Sequence, residues 1–503
     1  MIVTGGDTVT SRLCDVAARD PDREFLLFES APDTVVTLSY GQLLERAGRA
    51  ASRLRELGVG RGDRVHVHLA NCLEFYDVWF GSLLIGAVIV PTNPIATADE
   101  LAFMIGDASA RLSVTTRDLR EPVEQARASC GGDVVDADAL AVEGVAPARP
   151  ERGLPSDPAA VLYTSGTTSR PKGVVVTHAN YLFVGEVVAA HLRMRPDDRW
   201  LISLPLFHAN AQYYCTMSAL VSGASIALAP RFSVQAWSRQ AVTMRATLAS
   251  MFAAPLRMLL ASPETEFDGR CRLRLTIFGQ SIDDEQVAEF ERRYRTTLVQ
   301  LYGMTETIAP PTFNPVLGGC RPSTIGRPLP HARLRVVDEQ DRDVAVGETG
   351  QLLVHGVPGE TIMAGYLNQP EVTAATMPDG WLRTGDVVRL DGDGYLTFVD
   401  RTKDMIKRSG ENVAASEVEH VLNSHPAVFE SAVVGVPDEV RDEAIVAFVV
   451  LHEDVTAGSD ELRDWTAQRL ARFKVPSEIR VIPALPRTSV GKIRKAELRE
   501  ALR

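Results

Sequence analysis

The chain has 503 residues, 45% apolar and 23% charged, with a net charge of −12 and a pI near 5.4. That length suits two or three domains around a large core. The acidic balance argues against nucleic-acid binding as the main role, and an anionic ligand would need a local positive patch. Six cysteines, at 14, 72, 130, 215, 271 and 320, are scattered without a C-x-x-C pair. Neither a disulfide framework nor a zinc site is expected, and a reducing cytoplasm is the expected compartment. The start, Met1 to Asp7, lacks the basic-then-apolar pattern of a signal peptide.

In chain order, Ser39-Tyr40-Gly41-Gln42 fits a capping box. Leu43, Leu44, Ala47, Ala50, Ala51, Leu54 and Leu57 then recur at helical spacing, and Gly58 ends the helix. Val65, Val67 and Leu69 alternate with His66 and His68, which reads as a strand. With no third ligand nearby, the two histidines read as exposed or satisfied side chains rather than a metal pair. The longest apolar run, Val78 to Val90, stops at Pro91 and is too short to span a bilayer. It reads as a buried helix or strand. The segment from Glu121 to Pro158, rich in Ala, Gly, Pro, Asp and Glu, reads as variable surface. Helices and β-rich segments alternate throughout, so α/β layers are expected.

Ala159-Ala160-Val161-Leu162 is a short strand that breaks into Tyr163-Thr164-Ser165-Gly166-Thr167-Thr168-Ser169-Arg170-Pro171-Lys172-Gly173. Such a loop can turn backbone N–H groups and hydroxyls toward one anion, and Lys172 adds a mobile positive charge. Glycine matters because backbone close to a phosphate leaves no room for Cβ. The loop is not a Walker A loop: the spacing from Gly166 to Lys172 is wrong, and Pro171 blocks a helix start. Taken alone, it also fits an ordinary Ser/Thr/Gly surface turn.

Further on, Leu301-Tyr302-Gly303-Met304-Thr305-Glu306-Thr307 carries a hard oxygen donor, Glu306, suited to Mg²⁺ shared with ATP phosphates. Tyr302 can stack on adenine and Thr305 can hydrogen-bond a phosphate oxygen. Taken alone, such a motif more often marks a turn than a site; downstream of the loop at 163–173 the site is the stronger reading. In Trp381-Leu382-Arg383-Thr384-Gly385-Asp386, an aspartate after a glycine turn can accept from both ribose hydroxyls, so Asp386 is the expected ribose ligand.

The stretch 163–173 resembles the phosphate loop of the adenylate-forming superfamily: acyl-CoA synthetases, luciferases and the adenylation domains of peptide synthetases. The other motifs follow in that family's order and spacing, down to Pro486-Arg487-Thr488-Ser489-Val490-Gly491-Lys492-Ile493-Arg494-Lys495. Ala415, Ser169 and Arg441-Asp442-Glu443 after Val436-Pro437-Asp438 resemble the crotonobetaine/carnitine-CoA ligase-like subgroup. The resemblance implies an α/β fold. A large N-terminal domain of several subdomains, sheets flanked by helices, would span 1–400. A hinge at 401–403 would lead to a small mobile α+β C-terminal domain, 404–503.

The resemblance also implies a site. ATP or AMP would meet Thr164, Ser165, Gly166, Thr167, Thr168, Lys172, Gly279, Gln280, Ser281, Tyr302, Gly303, Met304, Thr305, Glu306, Asp386, Val399 and Arg401, with Mg²⁺ on Glu306 and Thr164. Phe278 and Gln280 depart from the family's commoner Gly/Ala-rich form. The acid would lie by His208, Asn210, Gln212 and Gly303, with His208 gating or orienting it. CoA would meet Ser409, Gly410, Phe473 and Lys474. Lys492 would be the catalytic lysine and Lys403 the hinge residue.

The implied activity is ATP-dependent activation of a carboxylic acid as acyl-adenylate, then transfer to CoA by domain alternation. The partners are the acid, ATP and CoA, without nucleic acid or a membrane span, in a monomer or homodimer. Rival readings are a ligase retaining only thioester formation from acyl-AMP, a stand-alone enzyme loading a carrier protein, a luciferase-like oxygenase, and a non-catalytic acyl-AMP binder. The motifs set the reaction and not the acid: carnitine-like, fatty, aromatic and polycyclic acids all fit them.

Overall fold

The computed structural model describes residues 6–32, 34–164, 170–280, 282–408, 411–438, 442–452, 455–487 and 493–502, with backbone alone at 411 and 412. The chain divides into two compact units. One is Met1–Arg333 with Val354–Leu382; the other is Leu334–Leu353 with Arg383–Arg503.

The first unit holds two large sheets. In the nine-stranded sheet, Thr297–Tyr302, Leu275–Gly279, Leu248–Phe252, Arg199–Ile202, Ser225–Leu228 and Glu24–Ala31 run parallel, in that spatial order. In the seven-stranded sheet, Val88–Pro91, Arg64–His68, Leu112–Thr115 and Asp133–Asp136 are parallel. Pro158–Thr164 and Lys172–Thr177 extend it as an antiparallel hairpin, and Gly365–Tyr366 caps that edge. The inner strands are buried along nearly their whole length, as parallel strands covered by helices on both faces must be.

Local signals mostly act as the sequence implies. Ser39 and Gln42 form a capping box on the helix Tyr40–Glu56. Leu43, Ala47, Ala50, Ala51 and Leu54 are fully buried along one stripe. Each buried leucine contributes about 1.5–3 kcal/mol of transfer free energy. Gly58, just past the helix, takes φ +80°. The run Val78 to Val90 is both things at once. It ends the buried helix Leu73–Leu84, turns at Gly86 (φ +71°) and becomes the strand Val88–Pro91. His66 and His68 are buried and hydrogen-bonded, to Ser113 and Thr92 at 2.8–2.9 Å.

One expectation needs correction. Residues 121–158 are not all irregular surface, since Arg120–Cys130 is a helix and Asp133–Asp136 is the edge strand of the seven-stranded sheet. Only Val123, Ala126 and Arg127 are buried on that helix, so its apolar period is too thin to see against the polar residues.

The second unit holds two smaller sheets. One runs Arg333–Val337, Thr349–His355, Trp381–Leu390 and Leu396–Arg401 in spatial order. In the other, Val428–Asp438 and Asp442–Leu451 form a long antiparallel pair, joined by Met405–Arg408, Glu411–Ala414 and Glu478–Val481. A buried cluster of Ile406, Val413, Val418, Leu422, Val433 and Ile445 packs the helix Ala415–Asn423 on this sheet. Among the described residues, no helix is long and apolar enough to cross a membrane. All six cysteines are free.

Candidate active site

Parallel α/β sheets present ligand sites beyond the carboxyl ends of their strands. In the nine-stranded sheet those ends deliver Phe252, Gly279 with Gln280, and Tyr302 with the motif after it. His208 follows the strand Arg199–Ile202 and opens a turn in which Gln212 N donates to His208 O at 3.3 Å. Its ring lies edge-on to Phe252, with centroids 6.4 Å apart, and beside Phe207 at 5.1 Å. The chain then winds as a π-helix over Asn210–Met217, a rare form that is frequent at functional sites.

Asn210 and Gln212 part ways in that helix. Asn210 Oδ1 accepts from Ser250 Oγ at 2.8 Å, close to the end of a central strand. Gln212 is fully buried, and its amide is used up within the scaffold. Its Oε1 accepts from Tyr181 Oη, and its Nε2 donates to Leu206 O at 2.7 Å. It therefore braces the turn that carries His208, rather than facing an acid as expected. Phe278 is likewise fully buried and packs in the core with Met251 and Phe290, so its departure from the family form does not reshape an open pocket.

Gln280 holds φ +77°, a left-handed value that favours glycine. Its carbonyl is pinned by Gln300 Nε2 at 2.9 Å, and the residue is exposed. Gly303 leaves room for Tyr214: a Cβ there would stand 2.5 Å from the Tyr214 hydroxyl oxygen, so one of the two would have to shift. Tyr302 is 8% exposed at the end of its strand, and Met304 N donates to Thr307 Oγ1 at 3.1 Å, tightening the short turn Thr305–Thr307. The next residue, Ile308, takes φ +60° and ψ −82°, a strained γ-turn geometry for a β-branched side chain.

That turn aims Glu306 at a tyrosine the sequence reading did not single out. Tyr366 Oη donates to Glu306 Oε1 at 3.0 Å. Met363 N donates to Glu306 O at 3.0 Å, so one segment grips both the side chain and the backbone of Glu306. Burial, and then the Glu306 carboxylate, push the Tyr366 hydroxyl well above the ordinary tyrosine range, which keeps it a donor. The other face of the arrangement is Lys172, whose Nζ lies 4.9 Å from the Tyr366 ring centroid. Thr164 and Lys172 are paired across the hairpin, with Thr164 Oγ1 3.5 Å from Lys172 O. Gly173 follows, and a Cβ there would come within 2.7 Å of Val161. The tip of this loop, with Ser165, Gly166, Thr167 and Thr168, lies outside the described residues, as does Ser281. The only sequence hint of Tyr366 is the strand-like Gly365-Tyr366; its partner strand stands far away in the chain.

A cation shared with nucleotide phosphates needs few protein donors. Glu306 supplies one oriented hard carboxylate. Among the described residues, no group of three or more His, Cys, Asp or Glu could hold a metal alone. The donor set fits Mg²⁺ completed by a nucleotide, not an all-protein metal site.

In the second unit, Asp386 is 3% exposed, next to Gly385 at φ +71°. Arg401 Nε lies 3.1 Å from Asp386 Oδ1. Val399 O accepts from Ser416 Oγ, and Asp400 Oδ2 from Ser416 N at 3.0 Å. Lys403 lies exposed in the turn closed by Asp404 N donating to Arg401 O at 2.9 Å. Burial raises the Asp400 pKa above the usual carboxylate range, against the pull of Lys495. Lys495 itself pairs with Glu419 at 2.7 Å. Burial lowers its pKa, but Glu419 and Asp400 outweigh that and leave it raised. Phe473 offers an exposed ring, whereas Lys474 is held by both oxygens of Glu417 at 2.7 Å. Ser409, Gly410 and Lys492 lie outside the described residues.

The AMP-binding enzyme family matches residues 13–367, and the AMP-binding enzyme C-terminal domain matches 417–492. The chain is 35% identical over 527 aligned residues to a crotonobetaine/carnitine–CoA ligase of Salmonella heidelberg (strain SL476), covering 99% of this chain and 100% of that protein. It is similar in structure to ATP-bound MatB from Rhodopseudomonas palustris, with a TM-score of 0.90, 29% identity and 99% of each chain covered. A benzoate CoA ligase from Burkholderia xenovorans LB400 gives a TM-score of 0.89 and 27% identity, over 98% of this chain and 100% of that one. The expected α/β class and family resemblance are both borne out. A family match over most of the chain and a full-length relative at 35% identity show that this chain belongs to the AMP-binding enzyme family.

Proposed function

We propose that the chain is an AMP-forming acid–CoA ligase. A carboxylate is a poor acyl donor because its leaving group would be oxide, so it is first converted to a mixed anhydride. An oxygen of the acid attacks the α-phosphorus of ATP, the bond to the bridging oxygen breaks, and pyrophosphate leaves. The sulfur of CoA then attacks the acyl carbonyl, the thiol proton is lost, and AMP leaves with the electron pair of the broken C–O bond.

The transition state of the first half gathers charge on phosphate oxygens, so aimed cations and donors do most of the work. Lys172 and the hydroxyls of Thr164, Thr167 and Thr168 hold the phosphates that depart. Mg²⁺ on Glu306 supplies neutralisation of phosphate charge when bound. Tyr302, with Gly279 to Ser281, faces the base; Asp386 accepts from the ribose hydroxyls, with Arg401 beside it. His208 and Asn210 orient the acid over Gly303. Lys492 bridges the acid and the α-phosphate. A hinge at 401–403 between domains 1–400 and 404–503 exchanges Lys492 for the CoA-binding face of Ser409, Gly410 and Phe473. A cytoplasmic monomer or homodimer belongs to the same reading.

The observation that carries it most is that Lys172 and Glu306 meet at one tyrosine, the cation against the ring of Tyr366 and the hard anion at its hydroxyl. The test is pyrophosphate release with ATP, Mg²⁺ and a panel of acids, with and without CoA, following the thioester by mass. Release with one class of acid, and thioester only when CoA is added, is the expected result. Thioester from a supplied acyl-adenylate, but no release with any acid, would leave only the second half-reaction. Release without any thioester would point to a carrier-protein acceptor.

A further inference from the structure

Lys172 and Glu306 come from separate parts of the chain, and each has a long side chain that loses considerable freedom when fixed. Tyr366 touches both. Its backbone is locked in an antiparallel pairing with Val174. Lys172 stands two residues before Val174, so it lies on the same face of its strand, diagonal to the ring. That register brings the ammonium to 4.9 Å from the ring centroid, where the aromatic face attracts a cation. The hydroxyl donates to Glu306 Oε1 at 3.0 Å. Met363 N fixes the Glu306 carbonyl from the same segment. A buried tyrosine needs one acceptor, and any nearby carbonyl would serve for packing alone. Here the acceptor is the carboxylate of the phosphate-site motif, and the ring carries that site's lysine.

We infer that Tyr366 is a positioning residue of the triphosphate site: its hydroxyl sets the Glu306 carboxylate for the cation that travels with ATP, and its ring sets Lys172 for the phosphates. The inference rests on the roles given above to Glu306 and Lys172. It adds a third residue that acts through those two, and it assigns hydroxyl and ring separate tasks.

The experiment is titration calorimetry of the full chain with three probes: ATP with Mg²⁺, ATP without it, and AMP, which lacks the departing phosphates. Tyr366→Phe removes one oxygen. It should weaken binding of ATP with Mg²⁺ by about tenfold or more, the worth of a hydrogen bond to a charged group. Binding of metal-free ATP and of AMP should be unchanged. Tyr366→Leu, which removes the ring as well, should also weaken metal-free ATP several-fold. AMP is the control for a merely structural role. If AMP binding falls in step with that of ATP, or if Tyr366→Phe binds ATP with Mg²⁺ as the parent does, the positioning role is overturned. If instead Glu306→Gln binds ATP with Mg²⁺ as the parent does, the reading of Glu306 fails first and takes the role of Tyr366 with it.

Discussion

Asp386 and Arg401 are partners twice over: they face each other in register on adjacent antiparallel strands, and Arg401 Nε lies 3.1 Å from Asp386 Oδ1. The aspartate is buried and the arginine is 40% exposed at its side chain. Arg401 thus shields one side of the buried carboxylate. Arg401→Met should cost only about 1 kcal/mol of stability, since the arginine is wet. With Asp386 as the ribose acceptor, it should weaken AMP binding by about tenfold, because that carboxylate loses its orientation. Calorimetric titration with AMP, beside a thermal melt, checks both; unchanged AMP affinity would remove the pair from the ribose site.

Gly303 and Tyr214 are a steric lock. The Cβ of Gly303→Ala would overlap the Tyr214 hydroxyl, 2.5 Å away. Overpacking of this kind costs about 1–3 kcal/mol. The variant should lose acid-dependent pyrophosphate release, and Gly303→Ala with Tyr214→Phe should recover part of it, since the offending atom is gone. A double-mutant cycle without coupling would show that the glycine is needed for some other reason.

Acid should unfold the protein partly through its buried histidines. Burial lowers the pKa of His68 from 6.5 to about 4. Between those values the unfolded chain binds a proton that the folded chain does not, so stability falls as pH drops from about 6.5 and levels off below about 4. The loss from His68 is roughly 3 kcal/mol. His66, His178 and His331 are lowered in the same direction and add to it. Denaturant midpoints from pH 7 to 4.5 should therefore slope downward, and His68→Gln should flatten the slope even though it lowers the midpoint at pH 7.

Lys495 is largely buried against Glu419 and close to Asp400. Lys495→Met keeps its length and removes its charge, leaving the buried Asp400 and the partly buried Glu419 without that cation. Breaking such a pair costs about 3–5 kcal/mol. Proteolysis should then cut first within 404–503, while a melt of the rest is little changed. Lys495→Arg should restore resistance if charge is what matters.

Lys403 sits at the third position of a turn closed between Arg401 and Asp404. Proline is disfavoured there because it forces the preceding residue out of its turn conformation. With Lys403 as the hinge, Lys403→Pro should impair thioester formation from a supplied acyl-adenylate more than pyrophosphate release. Equal losses in the two assays would remove the hinge role.

What was legible beforehand was local. The capping box at Ser39 and Gln42 could be read because donor and acceptor lie three residues apart. The hairpin around Lys172 and the turn around Glu306 could be read because each motif is contiguous. The strand that joins them could not: Gly365–Tyr366 is two residues long, and its meaning comes only from pairing with a strand far earlier in the chain. The family resemblance alone puts Gln212 beside the acid, whereas the wider winding aims its amide inward at Tyr181. The left-handed backbone of Gln280 had no signal either, since glutamine does not advertise that conformation.

The winding at Asn210–Met217 has one more consequence. Each residue of an α-helix turns the chain by about 100°, and a π segment behaves as a helix that has absorbed a surplus residue. Deleting one residue there would let the ladder relax to ordinary pitch. It would also swing Asn210 and His208 as a block against Phe252, without touching a single contact side chain. With His208 and Asn210 beside the acid, that wall can be reset by chain length as readily as by substitution, and libraries that vary only side chains would never visit those shapes.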